Sequence, residues 1–178
     1  MDFIVQLIEK DMLRLRALQC ARQLNLPQCY LAAGFVRNLV WDHLHGYSEP
    51  TALNDVDVVY FDPDEDDPNQ YLLYERQLTQ MLPLFNWQVR NQALMHLRNG
   101  DNPYSDTLDA MSYWPEKETA VGVRLNSRGE YECIAAFGFE SLFALQLTPN
   151  PKRPLSLFTE RVNGKNWLSH WPKLQVKR

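Results

Sequence analysis

Ile4, Ile8, Met12, Leu15 and Leu18 recur with helical spacing, with charged positions between them. They predict one amphipathic helix over residues 2–24, ended by Asn25 and Pro27. The short apolar run 29–33 stops at Gly34 and reads as a buried strand turning into the next element. Val36, Leu39, Val40 and Leu44 then mark a helical face closed by Gly46, a residue suited to the left-handed end of a helix. The β-branched and aromatic stretch 55–61 predicts a second strand. Asp67 as N-cap and Pro68 at the first helical position open a helix carried by Tyr71, Leu72, Leu78 and Leu82. Residues 87–97 read as a third strand, and a short helix follows near 106–114. Two further strands, 119–126 and 131–137, flank the turn residues Ser127, Arg128 and Gly129. Pro149, Pro151 and Pro154 keep the chain extended before a last helical segment holding Arg161, Lys165 and Trp167. The order predicts an α/β (α+β) fold: a mixed sheet with flanking helices over residues 1–148, and a tail, 149–178, that packs back on it.

Composition narrows the class. A chain of 178 residues with 45% hydrophobic and 22% charged positions is long enough to bury a core and far from a disordered composition. Its net charge of -4 gives no general attraction to a phosphate backbone, so there is no strong nucleic-acid signal beyond what a local basic patch would supply. Cys20, Cys29 and Cys133 are odd in number and form no CxxC pair, which predicts free thiols in a reducing compartment. Asp2, Glu9 and Asp11 interrupt the apolar start, unlike a signal peptide, and no stretch is long enough to span a bilayer. These features predict a cytoplasmic protein with no membrane partner.

The chemistry lies in Asp55 and Asp57. Residues two apart on a strand share a face, so the two carboxylates stand side by side while Val56 and Val58 face the other way. Such a pair repels unless a cation lies between them, and hard carboxylate oxygens suit magnesium or manganese. The plainer alternative is an edge strand with two solvated aspartates. Asp62, Asp64 and Asp66 match the start of a calcium loop, but Asp67 stands at the turn glycine and Leu73 at the closing glutamate, so this is a solvated acidic run. His43 and His45 share no helical face, and His96 and His170 show no evident partners. Trp41, Trp87, Trp114, Trp167 and Trp171 read as core and docking residues.

The stretch Ala33, Gly34, Phe35, Val36, Arg37, Asn38, followed by Asp55 and Asp57, resembles the signature of the nucleotidyltransferase superfamily. That superfamily includes DNA polymerase beta and the tRNA CCA-adding enzymes, and the nearest form of its turn is Gly-Gly-x-Val-Arg-Asp before Asp-x-Asp. The wider chain, including residues 91–96 and the Trp-rich tail, resembles a bacterial family of stand-alone nucleotidyltransferase-like proteins. The resemblance implies that Asp55 and Asp57 hold Mg2+ (or Mn2+) and that Gly34 and Phe35 approach a nucleoside triphosphate. It implies that Arg37 neutralises phosphate charge, the plainer alternative being a structural ion-pair partner, and that a hydroxyl acceptor attacks the α-phosphorus with loss of pyrophosphate. Glycine at such a turn admits close backbone approach, and the helix start offers free amides to phosphate.

The chain departs from the family pattern at Ala33, Asn38 and Phe35, and the third carboxylate usual on a neighbouring strand is missing. On the third strand Gln88, Arg90 and Gln92 form the more polar face and are expected to wall the cleft, with Gln92 as neutral occupant of the third-ligand position; Glu132 is a distant alternative. The base-recognition motif and the room for tRNA-binding domains are lacking, so tRNA end synthesis is not expected. The other reading is a nucleotide-binding or regulatory module of the same fold with weak or no turnover.

Overall fold

The computed structural model describes residues 2–178. The opening segment is two helices, α1 (Asp2–Glu9) and α2 (Met12–Gln23), rather than the single helix its periodicity predicts. Asp11 causes the break: its carboxylate accepts the Arg14 amide at 3.0 Å and caps α2. The new start rotates the buried face, leaving Met12 70% exposed and Arg14 only 2% exposed. Arg14 is tolerated inside because its Nη1 meets Asp11 at 2.6 Å and its Nε donates to the Phe35 carbonyl at 2.8 Å.

Five strands make the main sheet: β1 (Tyr30–Ala32), β2 (Asp55–Tyr60), β3 (Asn86–Asn91), β4 (Val121–Leu125) and β5 (Tyr131–Ala135). Their order is β3-β2-β1-β4-β5, with β2 and β3 parallel and the other pairs antiparallel. The predicted mixed α/β architecture is therefore the one that forms. The crossover from β2 to β3 runs through α4 (Gln70–Met81). Contrary to expectation, α4 does not begin at Pro68, because the Asp67 carboxylate bonds the Asn69 amide at 2.9 Å and closes a turn ahead of the helix.

The predicted third strand is also too long. It stops at Asn91, whose side chain accepts the Ala93 amide at 3.1 Å and caps α5 (Gln92–Asn99). Asn91 further bonds the Asp62 amide and carbonyl at 3.0 and 2.8 Å, so the chain has no freedom to continue as strand. Gln92 is thus the first residue of a helix, not a strand residue beside Gln88 and Arg90.

Alternation on β2 sorts its side chains between two layers. Val56, Val58 and Tyr60 are fully buried against α1, α2, α4 and α3 (Gly34–His45), while the opposite face of β2 carries Asp55, Asp57 and Val59. The tail folds as two helices, Leu155–Gly164 and Trp167–His170, separated by Lys165 and by Asn166 in the left-handed region at φ +54°. Trp167 and Trp171 pack edge-on to the fully buried Trp41 at centroid distances of 6.0 and 5.1 Å.

The turn from β1 into α3 carries backbone strain. Ala33 sits at φ +57°, ψ -123°, a region glycine occupies freely and an L side chain does not. Its amide is tied to the Val121 carbonyl at 3.0 Å and its carbonyl accepts from Val36 and Arg37, which holds the strained geometry in place. Ala33→Gly is therefore expected to raise unfolding stability by about 1 kcal/mol, after allowance for the extra freedom of glycine in the unfolded chain. Denaturant unfolding measures it, and an unchanged or lower midpoint at equal slope contradicts strain at this turn.

Candidate functional site

A cleft of about 760 Å³ opens beside the polar face of β2. Gly34, Arg37, Asp55, Asp57, Gln88, Arg90 and Gln92 all line it, with the tail residues Arg161, Lys165 and Trp167 along another wall. Asp55 is exposed and its Oδ1 accepts from Asn86 Nδ2 at 2.6 Å. Asp57 is half-buried, and burial holds its carboxyl above the ordinary range; Arg37 opposes this and Asp55 adds to it.

Each sequence-predicted site residue has a definite place. Gly34 opens α3, so the amides of Gly34 and Phe35 have no helical carbonyl before them to pair with. A Cβ at Gly34 would stand 3.2 Å from Asn38 Nδ2 and 3.3 Å from Arg37 Nη2. The Phe35 side chain is fully buried in the core beneath the Arg14 guanidinium and does not line the cleft, so only its backbone faces the turn. Arg37 is 7% exposed, with Nη1 donating to Thr119 Oγ1 at 2.7 Å and Nε to Asn38 Oδ1 at 3.2 Å. Its guanidinium lies 5.1 Å from the Trp41 ring centre and 4.7 Å from that of Trp167. Burial lowers its pKa to about 10, against the pull of Glu116, so it remains a cation at neutral pH.

The neighbour of Asp57 on β3 is Gln88, not Gln92. Arg90 donates from Nη2 to Gln88 Oε1 at 2.9 Å and from Nη1 to Glu75 at 2.8 Å. Glu132 lies on β5, at the far edge of the sheet, where Arg124 binds it at 2.5 Å. Among the described residues, no three His, Cys, Asp or Glu side chains group as a metal site. Asp55 and Asp57 nevertheless fit a divalent cation: they are two hard oxygen donors on one strand face, and the mutual repulsion that helps hold the Asp57 proton is what a bound cation relieves.

Sequence reasoning assigned no role to Thr51, Thr119, Arg98, Arg161 or Lys165, all of which line the cleft. Only Arg161 and Lys165 carried a signal, since a spacing of four places them on one helical face. His170, expected to lack partners, has Nε2 2.7 Å from Thr51 Oγ1. That hydroxyl donates to Asp42 Oδ1 at 2.6 Å, and Asp42 also accepts from Trp171 Nε1 at 2.8 Å. One buried carboxylate thus ties the tail to the loop that leads into Asp55.

The charge of the cleft opposes that of the chain. Arg37, Arg90, Arg98, Arg161 and Lys165 line it against Asp55 and Asp57, in a protein of net charge -4. A cationic cleft holding paired strand carboxylates beside a glycine helix start is suited to a phosphate-bearing ligand. The chain belongs to the nucleotidyltransferase family, whose sequence model matches residues 19–176.

An NMR structure described as revealing a CCA-adding enzyme head domain is similar over 100% of this chain and 96% of its own, with 33% identity and a TM-score of 0.87. A CCA-adding enzyme solved with CTP aligns over 99% of this chain at 15% identity and a TM-score of 0.61. Only 43% of that enzyme is covered, so this chain spans less than half its length, and the likeness shows the fold. An apo CCA-adding enzyme gives the same picture, with 14% identity, a TM-score of 0.56 and 97% and 42% coverage. No curated protein matches the chain. No helix among the described residues is long and apolar enough to cross a membrane.

The raised pKa of Asp57 has a consequence for stability. The folded protein holds this proton more tightly than the unfolded chain, so ionising Asp57 costs stability as pH rises through the ordinary carboxylate range. The cost is absent below the unfolded-state pKa and grows as pH rises above it, until the folded-state pKa is passed. Asp57→Asn is expected to raise the melting temperature at neutral pH in the presence of a chelator, with the gain shrinking toward acid. A lower melting temperature at neutral pH would mean that attraction to Arg37 outweighs burial.

Proposed function

We propose that the protein transfers a nucleoside monophosphate from a nucleoside triphosphate to a hydroxyl-bearing acceptor. The observation that carries this reading is the meeting of Asp55, Asp57 and the Gly34 turn in one cleft. Asp55 and Asp57 would hold Mg2+ or Mn2+, which supplies charge stabilisation to phosphoryl oxygens when bound. The open amides of Gly34 and Phe35 receive phosphate oxygens, and Arg37 adds a fixed positive charge beside Asp57. The acceptor hydroxyl gives up its proton to solvent as its oxygen attacks the α-phosphorus, the bond to the bridging oxygen breaks, and pyrophosphate departs. Gln88, Arg90 and Gln92 wall the same cleft from β3 and α5. The free thiols fit a cytoplasmic protein: burial pushes Cys29 up to about 12 and Cys133 up to about 11, which disfavours the thiolate.

A second reading rests on the metal ligands. With Gln88 beside Asp57 and only two carboxylates on the strand face, the same site would bind nucleotide as a sensing or regulatory module without turnover.

Pyrophosphate release across the four ribonucleoside triphosphates, with Mg2+ or Mn2+ and a panel of hydroxyl acceptors, tests the reaction. Turnover is expected to fall by about 100-fold or more in Asp55→Asn plus Asp57→Asn. A triphosphate is expected to raise the melting temperature only with divalent metal present, and the double variant should lose that shift. A metal-dependent shift with no turnover on any acceptor selects the binding module, and a shift that survives in the double variant places the nucleotide elsewhere.

Gly34→Val gives an independent check. Even one added carbon crowds Arg37 and Asn38, and a branched side chain also fills the approach to the open amides. The variant is expected to stay folded and to lose nucleotide binding by calorimetry; normal binding would make the turn a structural connection only.

A further inference from the structure

We infer that the C-terminal segment builds a polyphosphate subsite in the cleft, in which Arg161 and Lys165, together with Arg37, receive the β- and γ-phosphates of the donor and the pyrophosphate that leaves. This rests on the donor reading above and adds to it a wall of the site contributed by residues 161–167.

The first observation is a concentration of positive charge around one indole. The guanidinium of Arg37 lies 4.7 Å from the Trp167 ring centre and that of Arg161 lies 5.8 Å from it. Two like charges sharing one ring repel, and the influence of Arg161 is among those that push the Arg37 pKa down. Compensation is partial. Arg161 is paired through Nε with the fully buried Glu116. Arg37 bonds only the neutral groups of Thr119 and Asn38, and no carboxylate lies within ion-pair distance of it among the described residues. Lys165 is exposed and makes neither an ion pair nor a side-chain hydrogen bond among the described residues. Glu118 is buried in the adjacent 3-10 turn (Lys117–Thr119) and accepts the Thr148 amide at 2.8 Å. Of the three cations, Arg161 is held by Glu116 and Arg37 is drawn toward Asp57, and Lys165 is the one whose side chain has neither an ion pair nor a hydrogen bond among the described residues.

The second observation is where that charge points. Asn166, at φ +54°, reverses the chain so that Trp167 enters the core while Lys165 stays on the cleft wall. Lys165 is near enough to Asp57 to act on its charge. The cluster is therefore contiguous with the carboxylate pair and lies on the side of the Gly34 turn, since Arg37 belongs to the first turn of α3. A triphosphate with its α-phosphorus at Asp55 and Asp57 and its tail along this wall would meet Arg37, Arg161 and Lys165 in one cleft. Arg161, held by Glu116 through a carboxylate pair, is pre-oriented, whereas Lys165 is free to close on an anion.

Calorimetry of the full chain with inorganic tripolyphosphate and with pyrophosphate, in the presence of Mg2+, tests the subsite. Lys165→Ala is expected to weaken both by about tenfold and Lys165→Glu by more, because a charge-assisted contact is lost and then inverted. Binding of a nucleoside monophosphate, which lacks the distal phosphates, should change less than threefold, and the ligand-free melting temperature should hold because Lys165 is exposed. Arg161→Lys, which keeps a cation beside Glu116 but removes the planar fork, should also weaken tripolyphosphate. Equal tripolyphosphate affinity in the wild type and Lys165→Glu overturns the subsite while leaving the donor reading standing. Failure of the wild type to bind tripolyphosphate or any nucleoside triphosphate overturns both.

Discussion

A guanidinium taken out of water with no carboxylate in contact is costly, and the arrangement around the cleft follows from holding Arg37 in that state. Three elements share the task. The 3-10 turn before β4 supplies the Thr119 hydroxyl, α3 supplies the Trp41 face, and the tail supplies Trp167. Gly34 is constrained by the same group, since any side chain there would press on the Arg37 fork and on Asn38. The cation in turn stands opposite Asp57 and offsets part of the cost of burying that carboxylate. The glycine, the tail and the acidic pair are thus mechanically linked through one side chain.

Much of this was legible in the sequence where the signal is local. The period of two on β2 sorted Asp55 and Asp57 from Val56 and Val58, and the Gly46 helix end lies where its residue type placed it, at φ +71°. Asp11 and Asn91 show the limit. Each sits inside a run whose apolar spacing continues past it, so periodicity extends the element while the side chain caps a new helix. The same error moved Gln92 onto a strand and hid Gln88 as the neighbour of Asp57. Arg14 illustrates a second limit: a charge on a helix reads as solvated unless its partner, here the Phe35 carbonyl 21 positions away, is already known. Ala33 illustrates a third, because the residue type gives no hint of a backbone conformation that glycine would favour. Arg161 and Lys165 offered only a spacing of four, and that they line the cleft depends on where the tail docks.

Net charge proved a poor guide to local field. The chain is acidic overall, with 22 Asp and Glu against 18 Lys and Arg, yet five of its cations line the cleft against two acids. Acidic residues such as Asp62, Asp64 and Asp66 lie instead in the loop between β2 and α4. Segregation of this kind lets a protein remain anionic in bulk while presenting a cationic interior to a phosphate-bearing ligand. It also places the carboxylate pair among arginines, where a metal would have to compete with Arg37 for Asp57.

The hydrogen bond from Trp171 to Asp42 joins positions 129 residues apart, and the Arg161–Glu116 pair spans 45. Docking of the tail is therefore a long-range closure that cannot precede formation of α3. On a ribosome, the carboxylate pair and the glycine turn emerge while Arg37 still lacks its second indole and the wall bearing Lys165 does not yet exist. Order of synthesis then acts as a timer: Arg37, Arg90 and Arg98 emerge around the acidic pair, whereas Arg161, Lys165 and the Trp167 indole join the cleft only once the tail has been made and has docked.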